Sequence, residues 1–443
     1  MFKRKFAARP RDLSFLLRVC GSAAVVFFVL VLSLRSDESY SGKVIDAVTW
    51  QPIEAAIVTL NQKVVRTELD GTFQIGASGS NVIGVRAYGY LRNSAPISEF
   101  KNHWREITLT PFRPKALYLS FFGIGSAKLR EAALGLIDTT ELNAVVIDLK
   151  GDRGMISYKT SIPLAQQVHA QAITTIRDPK ALLDRLHRDH IYAIARIVVF
   201  KDDPLATGRP DLAVKQSNGA IFRDREHLAW TDATREEVWN YNIEVATEAA
   251  RMGFDEIQFD YVRFPDARGL LFSKPNNMEN RLEAISGFLS EARKRLAPYN
   301  VFVAADIFGY VMWNRDDTHI GQRLEEISSE VDYISPMLYP SCFQFGIPGY
   351  HMPVAHPYEI VSLSLKNALE RPGLSPIRFR PWLQAFRDYA FDHRAFGGPE
   401  IRAQINAAEK FGSDGWMLWN PRNEYSSAGL QAEGHRCKDD ASK

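Results

Sequence analysis

Three aspartates stand where an otherwise apolar run ends. Asp148 follows Ala144-Val145-Val146-Ile147, Asp260 follows Ile257-Gln258-Phe259, and Asp306 follows Val303-Ala304-Ala305. A lone buried carboxylate is costly, so an acid in such a place needs a partner or a task. One such aspartate is ordinarily a loop cap or half of a salt bridge. Three at the same end of one sheet point to a site. Two carboxylates facing across a cleft suit the cleavage of a glycosidic bond. One protonates the leaving oxygen, and the other attacks, or activates water against, an oxocarbenium-like carbon. Like charges at close range also push the two pKa values apart, which keeps one acid protonated near neutral pH. Asp260 and Asp306 fall on consecutive strands and form the candidate catalytic pair.

Other polar groups are candidates for holding a substrate or the pair itself. Arg196 interrupts the strand run IYAIARIVVF and Arg263 follows Asp260 closely, so either can pair with Asp260. Asp148 can orient substrate hydroxyls or balance an arginine. Tyr339 and Gln384 are candidate hydrogen-bonding partners for hydroxyls. Trp230, Trp313, Trp382 and Trp419 offer flat faces for stacking, although each also suits a core. Alternation places Gln258 with Asp260 on one strand face, and Trp382 with Gln384 and Phe386 on another. His351 and His356, five apart and flanked by prolines, do not make a helical metal pair, and the strands carry no His-x-His. Neither a metal nor a cofactor is expected.

These residues need a scaffold that brings strand ends together. From Lys115 the chain alternates between apolar strand runs and helical segments. The strand runs are 116–122, 143–150, 191–200, 254–262, 301–309, 332–339, 378–386 and 415–420. Ser126 and Asp178 stand at helix starts, and Thr234-x-x-Glu237 reads as a capping box. Eight such repeats over roughly 310 residues predict an α/β fold, a (β/α)8 TIM barrel. The competing fold is a doubly wound open sheet, but Phe122-Gly123-Ile124-Gly125-Ser126 lacks its third glycine. Long stretches after the second strand (151–176) and the third (201–231) lie at strand C-terminal ends, where barrels build sites.

Residues 41–111 read differently, as short strands with turn signals, and predict a small all-β sandwich. Asp70-Gly71 between 64–69 and 72–75 reads as a hairpin turn. The runs Gly42 to Val58 (G-x-V-x-D-x-x-T-x-x-P-I-x-x-A-x-V) and Thr67 to Ile75 (T-x-x-D-G-x-F-x-I) resemble the carboxypeptidase regulatory-like domain, a prealbumin-like sandwich. That resemblance implies a spacer or stability module, with glycan or partner binding as the alternative.

A second resemblance covers most of 115–420. KALYLSFFGIGS (115–126), NAVVIDLKGDRG (143–154), IYAIARIVVFKD (191–202), GFDEIQFDYVRFPD (253–266), ISPMLYP (334–340) and PWLQAF (381–386) are similar to the bacterial putative glycoside hydrolase domain of the alpha-amylase-like TIM-barrel superfamily. The resemblance implies glycoside hydrolase activity and places Asp260 at the nucleophile position of that superfamily. The acid/base at the end of strand five is ordinarily Glu there, and this chain has the shorter Asp306. The departure leaves the acid role open.

Composition bounds the rest. Of 443 residues 46% are hydrophobic and 24% charged, with a formal net charge of +2. Such a chain is globular, not disordered, collagenous or disulfide-dense. Near-neutrality argues against nucleic acid as the partner. The charge is uneven, however. Residues 1–18 carry Lys3, Arg4, Lys5, Arg9, Arg11 and Arg18 against Asp12, and an uncharged run from Val19 to Leu34 follows. A basic flank before an apolar run marks an export signal or an anchor, and no A-x-A cleavage pattern closes it. The expected order is a cytoplasmic tail (1–18), a transmembrane signal anchor (19–35), the sandwich (41–111) and the barrel (115–430). The barrel would then be exported to the periplasm and tethered to the inner membrane, with secretion after cleavage as the alternative. Cys342 and Cys437 would face that oxidising compartment and are a possible pair. With the second resemblance, the expected partner is an envelope or extracellular polysaccharide; oligomeric state stays open. The rival functions are a non-catalytic glycan-binding barrel, a metal-dependent hydrolase and a polymer-assembly scaffold.

Overall fold

The computed structural model describes residues 39–432, Pro372 excepted. The basic block, the apolar run of 19–35 and Cys437 lie outside the described residues, so the anchor and the Cys342–Cys437 pair do too. Among the described residues no helix is long and apolar enough to cross a membrane.

The first unit is built from seven strands: β1 (Ser39–Asp46), β2 (Ile57–Leu60), β3 (Lys63–Arg66), β4 (Thr72–Gly76), β5 (Val82–Arg86), β6 (Asn93–Pro96) and β7 (Trp104–Leu109). They form a three-stranded sheet, β4-β1-β7, and a four-stranded sheet, β3-β2-β5-β6. Val44, Phe73, Ile75 and Ile107 from one sheet share a core with Val58, Leu60, Ile83 and Val85 from the other. The alternating burial of β4 is the period-2 signature of a strand with one wet face. The Asp70-Gly71 turn is not a hairpin. β3 pairs with β2 and β4 with β1, so the turn carries the chain from one sheet to the other. Gly71 is required there by its φ of +78° and by the Val44 carbonyl, which a Cβ would meet at 2.5 Å.

The second unit is a closed barrel. Its strands are β8 (Lys115–Leu119), β9 (Ala144–Lys150), β10 (Tyr192–Val198), β12 (Glu256–Asp260), β14 (Phe302–Phe308), β15 (Tyr333–Met337), β16 (Trp382–Gln384) and β17 (Trp416–Trp419). All eight pair in parallel, and β17 returns to β8. Closure excludes the open doubly wound sheet. The short strands β11 (Lys215–Gln216) and β13 (Leu270–Leu271) pair with each other, tying the loop after β10 to the loop after β12. Every residue of β9 and β10 is buried, as parallel strands between a barrel interior and a helical jacket must be. Ala116, Val146, Ile194, Ala304 and Met417 fill the interior. Leu117, Val145, Ile257 and Val303 meet the helices outside.

Local capping mostly follows the sequence. Ser126 accepts a hydrogen bond from Leu129 N and Asp178 from Ala181 N. Thr234 does not cap. Its hydroxyl donates to Asp232 Oδ1 at 2.7 Å, and the helix Glu236–Met252 starts after Arg235 without a side-chain cap. Asp232, two residues upstream, is the better acceptor and captures the hydroxyl.

The sandwich packs on the N-terminal end of the barrel. Arg92 donates to the carbonyls of Gly253, Phe254 and Tyr299, all just before β12 or β14. Asn300 donates to the Val85 and Asn93 carbonyls, and Arg86 lies 3.4 Å from Asp332. Inside this end, Arg380 bonds Glu256 at 2.5 Å and Asp414 at 2.9 Å, while Tyr192 donates to Glu256 at 3.1 Å. One end of the barrel is therefore occupied by a domain and a buried ion cluster. The three aspartates stand at the other end.

Candidate active site

Arg196 organises the mouth. It sits on β10, flanked by β9 and β12, and register sets it beside Asp148 and Gln258. Its Nη1 donates to Asp148 Oδ1 at 2.5 Å, Nη2 to Asp152 Oδ1 at 2.9 Å, and Nε and Nη2 to Asp260 Oδ2 at 2.9 and 2.6 Å. Nε also lies 3.9 Å from Asp306 Oδ2. One guanidinium thus collects Asp148, Asp152, Asp260 and Asp306, and its five donors on a planar fork suit that task. Its carbon stands 5.0 Å from the Trp419 ring centroid and 5.5 Å from that of Tyr118. Those two rings stack on each other at 3.8 Å and 16°.

Asp260 and Asp306 are brought to the same cation but differ in setting. Asp260 is 5% exposed, and its Oδ1 accepts from Tyr261 N at 2.5 Å. Tyr261 holds φ +48°, a left-handed conformation rare for a bulky residue, at the point where the chain leaves the strand. Asp306 is 0% exposed. Its Oδ1 accepts from Trp382 Nε1 at 2.7 Å, and its Oδ2 has no hydrogen-bond partner. Burial, then the charge of Asp260, drives its pKa well above the ordinary carboxylate range, outweighing Arg196 and the indole. Asp306 is therefore the acid that keeps its proton. With Oδ1 occupied as an acceptor, that proton belongs on Oδ2.

Asp148 is the third acid. Its Oδ2 accepts from Tyr118 Oη at 2.7 Å and Phe121 N at 3.1 Å. Burial pushes its pKa up to about 6 against the pull of Arg196.

A cleft of about 540 Å³ opens beside this cluster, floored by Tyr118, Asp148 and Trp419 and walled by Phe121, Phe122, Asp152 and Ile173. Asp148 and Trp419 line it as expected. Asp260 and Asp306 lie deeper, so the pair does not project into an open shared mouth. Strand ends of β12 and β14 point into the barrel interior, where Arg196 and Trp382 cover them.

The other predicted residues divide by contact. Trp382 is 1% exposed and serves Asp306 rather than presenting a stacking face. Tyr339 packs edge-on against Phe386 and near Trp419, beneath the cleft. Gln384 accepts from Ser341 N and donates to Ser341 Oγ and the Phe386 carbonyl, so its polar atoms brace two loops. Arg263 does not pair with Asp260. Its guanidinium lies 5.0 Å from both the Trp230 and Tyr261 ring centroids and donates to the Phe264 carbonyl. Trp230 donates to Asp224, and Trp313 bonds Ser364 on the outer helix Pro357–Leu369, so neither reaches the cleft. His356 stands against Tyr350 and Glu359. Among the described residues no group of three or more His, Cys, Asp or Glu side chains is placed to hold a metal.

Sequence reasoning missed Asp152, Tyr118 and Lys150. Asp152 and Lys150 flank Gly151 at the end of β9, and alternation from Ala116 turns Tyr118 inward, so both signals were present. Lys150 Nζ bonds Asp202 at 2.6 Å, Asn242 at 2.9 Å and the Val198 carbonyl at 2.7 Å, locking the loop after β10 onto the strand end.

The model of the family described as "Putative glycosyl hydrolase domain" matches residues 116–425. Among solved structures, a hypothetical protein from Ruminiclostridium thermocellum ATCC 27405 is 38% identical, the match covering 43% of this chain and 96% of that one, with a TM-score of 0.38. The PgaB (BpsB) glycoside hydrolase domain from Bordetella bronchiseptica is 14% identical over 71% of this chain and 95% of that one, TM-score 0.49. A chitinase from Chromobacterium violaceum ATCC 12472 is 12% identical over 71% and 96%, TM-score 0.43. No curated protein matches the chain.

Proposed function

The chain belongs to the family described as "Putative glycosyl hydrolase domain", and on that premise we propose that it hydrolyses O-glycosidic bonds in a polysaccharide. Asp306 donates the proton to the leaving oxygen from Oδ2, and Asp260 supplies the carboxylate that attacks or activates water. The observation that carries this is the sharing of Arg196 by two aspartates in unlike settings, one salt-bridged and one buried and neutral. Such divergence is how two like groups take acid and base roles. Trp419 and Tyr118 provide an apolar platform for a sugar ring, and Asp148 accepts from its hydroxyls. The glycan must reach past the cleft floor to Asp306, so productive binding includes displacement of the side chains that cover it.

The experiment is a panel of envelope and extracellular polysaccharides, with new reducing ends counted for wild type, Asp260→Asn and Asp306→Asn. Loss of turnover with glycan binding retained supports the assignment. Unchanged turnover in either variant removes that residue from the chemistry.

Glycan binding without turnover is the second function, favoured by one observation: Asp306 is fully enclosed and Asp260 is held by two guanidinium contacts. It predicts tight binding to a glycan that wild type leaves uncut. We further propose that the 39–111 unit is a prealbumin-like module, and that the 19–35 run anchors the barrel on the exported side of the inner membrane. Protease added to intact spheroplasts would then cut the barrel and spare residues 1–18.

A further inference from the structure

The inference here rests on the proposal that the cleft receives a glycan, and concerns which glycans its charge admits. Carboxylates outnumber cations on its floor. Asp148, Asp152 and Asp260 gather on Arg196 at 2.5, 2.9 and 2.6 Å. Asp306 adds a fourth carboxyl group whose Oδ2, 3.9 Å from Arg196, is fully buried and has no hydrogen-bond partner. Other acids on the lining are already cancelled. Asp203 is paired with Arg223 at 2.5 Å and Glu226 with Lys201 at 2.8 Å. Arg153 is the one further cation on the lining and is exposed at its rim. The group a ligand can reach is Asp152, whose side chain is 39% exposed beside buried Asp148.

A ligand carrying carboxylate or phosphate would meet this floor as a like charge. A neutral sugar would leave the excess uncompensated. An ammonium supplies the missing positive charge and three N–H donors to carboxylate acceptors. We propose that the cleft takes a glycan bearing unsubstituted amino groups, with one ammonium seated against Asp152 and Asp148 and its sugar ring over the Trp419–Tyr118 stack. The raised pKa of Asp148 fits this picture, because it marks a place where negative charge is poorly compensated in the free protein.

The experiment uses the full chain and two oligosaccharides, one of glucosamine and one of galactosamine, each as the free amine and after complete N-acetylation. Binding is measured by calorimetry at about pH 6, where the amines are largely charged. The free-amine form of at least one oligosaccharide should bind ten-fold or more tighter than its acetylated twin. The preference should shrink as salt is raised and fall several-fold in Asp152→Asn. Equal affinity, tighter binding of the acetylated form, or no binding of either would overturn the proposal. The acetylation comparison is made on wild type, so it decides the matter even if Asp152→Asn fails to fold. Amine preference without bond cleavage would keep this inference and remove catalysis. Cleavage of acetylated chains with no amine preference would do the reverse.

Discussion

At the residue scale, the site turns on proton positions around Arg196. Trp382 donates to Asp306 Oδ1 and so favours the ionised acid. Trp382→Phe removes that bond and raises the pKa of Asp306 further. The alkaline limb of the kcat/KM profile, which reports loss of the proton from the acid, should move to higher pH; a shift to lower pH would mean that Asp306 is not the donor. Asp148 makes an independent prediction about stability. Its pKa in the folded chain is about 6, above its unfolded value near 3.8. A raised carboxyl pKa means that the folded state binds the extra proton. Its stabilising contribution is full below about pH 4 and is lost as pH rises through about 6. Relative to Asp148→Asn, wild type should therefore lose stability across that window, measured by urea unfolding at several pH values. A constant difference would place the titration elsewhere. The acids themselves were legible in the sequence because each breaks an apolar run. Their common partner was only half legible: Arg196 stood out on its strand, but Asp152 sat unremarked in a loop. Arg263 looked equally suited to Asp260 until the loop turned it onto Trp230 and Tyr261.

At the scale of elements, the eight barrel strands were readable because parallel strands buried on both faces give continuous apolar runs. The Asp70-Gly71 turn shows the limit. The dipeptide announces a tight turn, but which strands pair is decided by sheets whose partners lie elsewhere in the chain. The docking of the sandwich was not readable at all, since its contacts join residues such as Asn93 and Asn300, 207 positions apart. Asn300 is the sharpest probe of that docking. It holds φ +51° and donates to two sandwich carbonyls. Asn300→Ala loses those bonds and strains the left-handed backbone, at an expected cost of about 2–3 kcal/mol. Asn300→Gly loses the same bonds without the strain and should cost less. If thermal unfolding ranks the two the other way, the left-handed backbone is not what Asn300 is chosen for.

At the scale of the whole molecule, the two ends of the barrel do different work. The sandwich and the Arg380–Glu256–Asp414 cluster close the N-terminal end. The C-terminal end holds the cleft, the shared guanidinium and the buried acid. The division of labour between Asp306 and Asp260 is best tested by leaving-group dependence. Wild type, Asp306→Asn and Asp260→Asn are compared on a sugar–sugar bond and on the matching dinitrophenyl glycoside, whose leaving group needs no proton. Asp306→Asn should lose about 10²–10⁴-fold on the sugar–sugar bond and little on the dinitrophenyl glycoside, while Asp260→Asn should lose on both. Equal losses on the two substrates in Asp306→Asn, or none on either, would contradict proton donation by the buried aspartate.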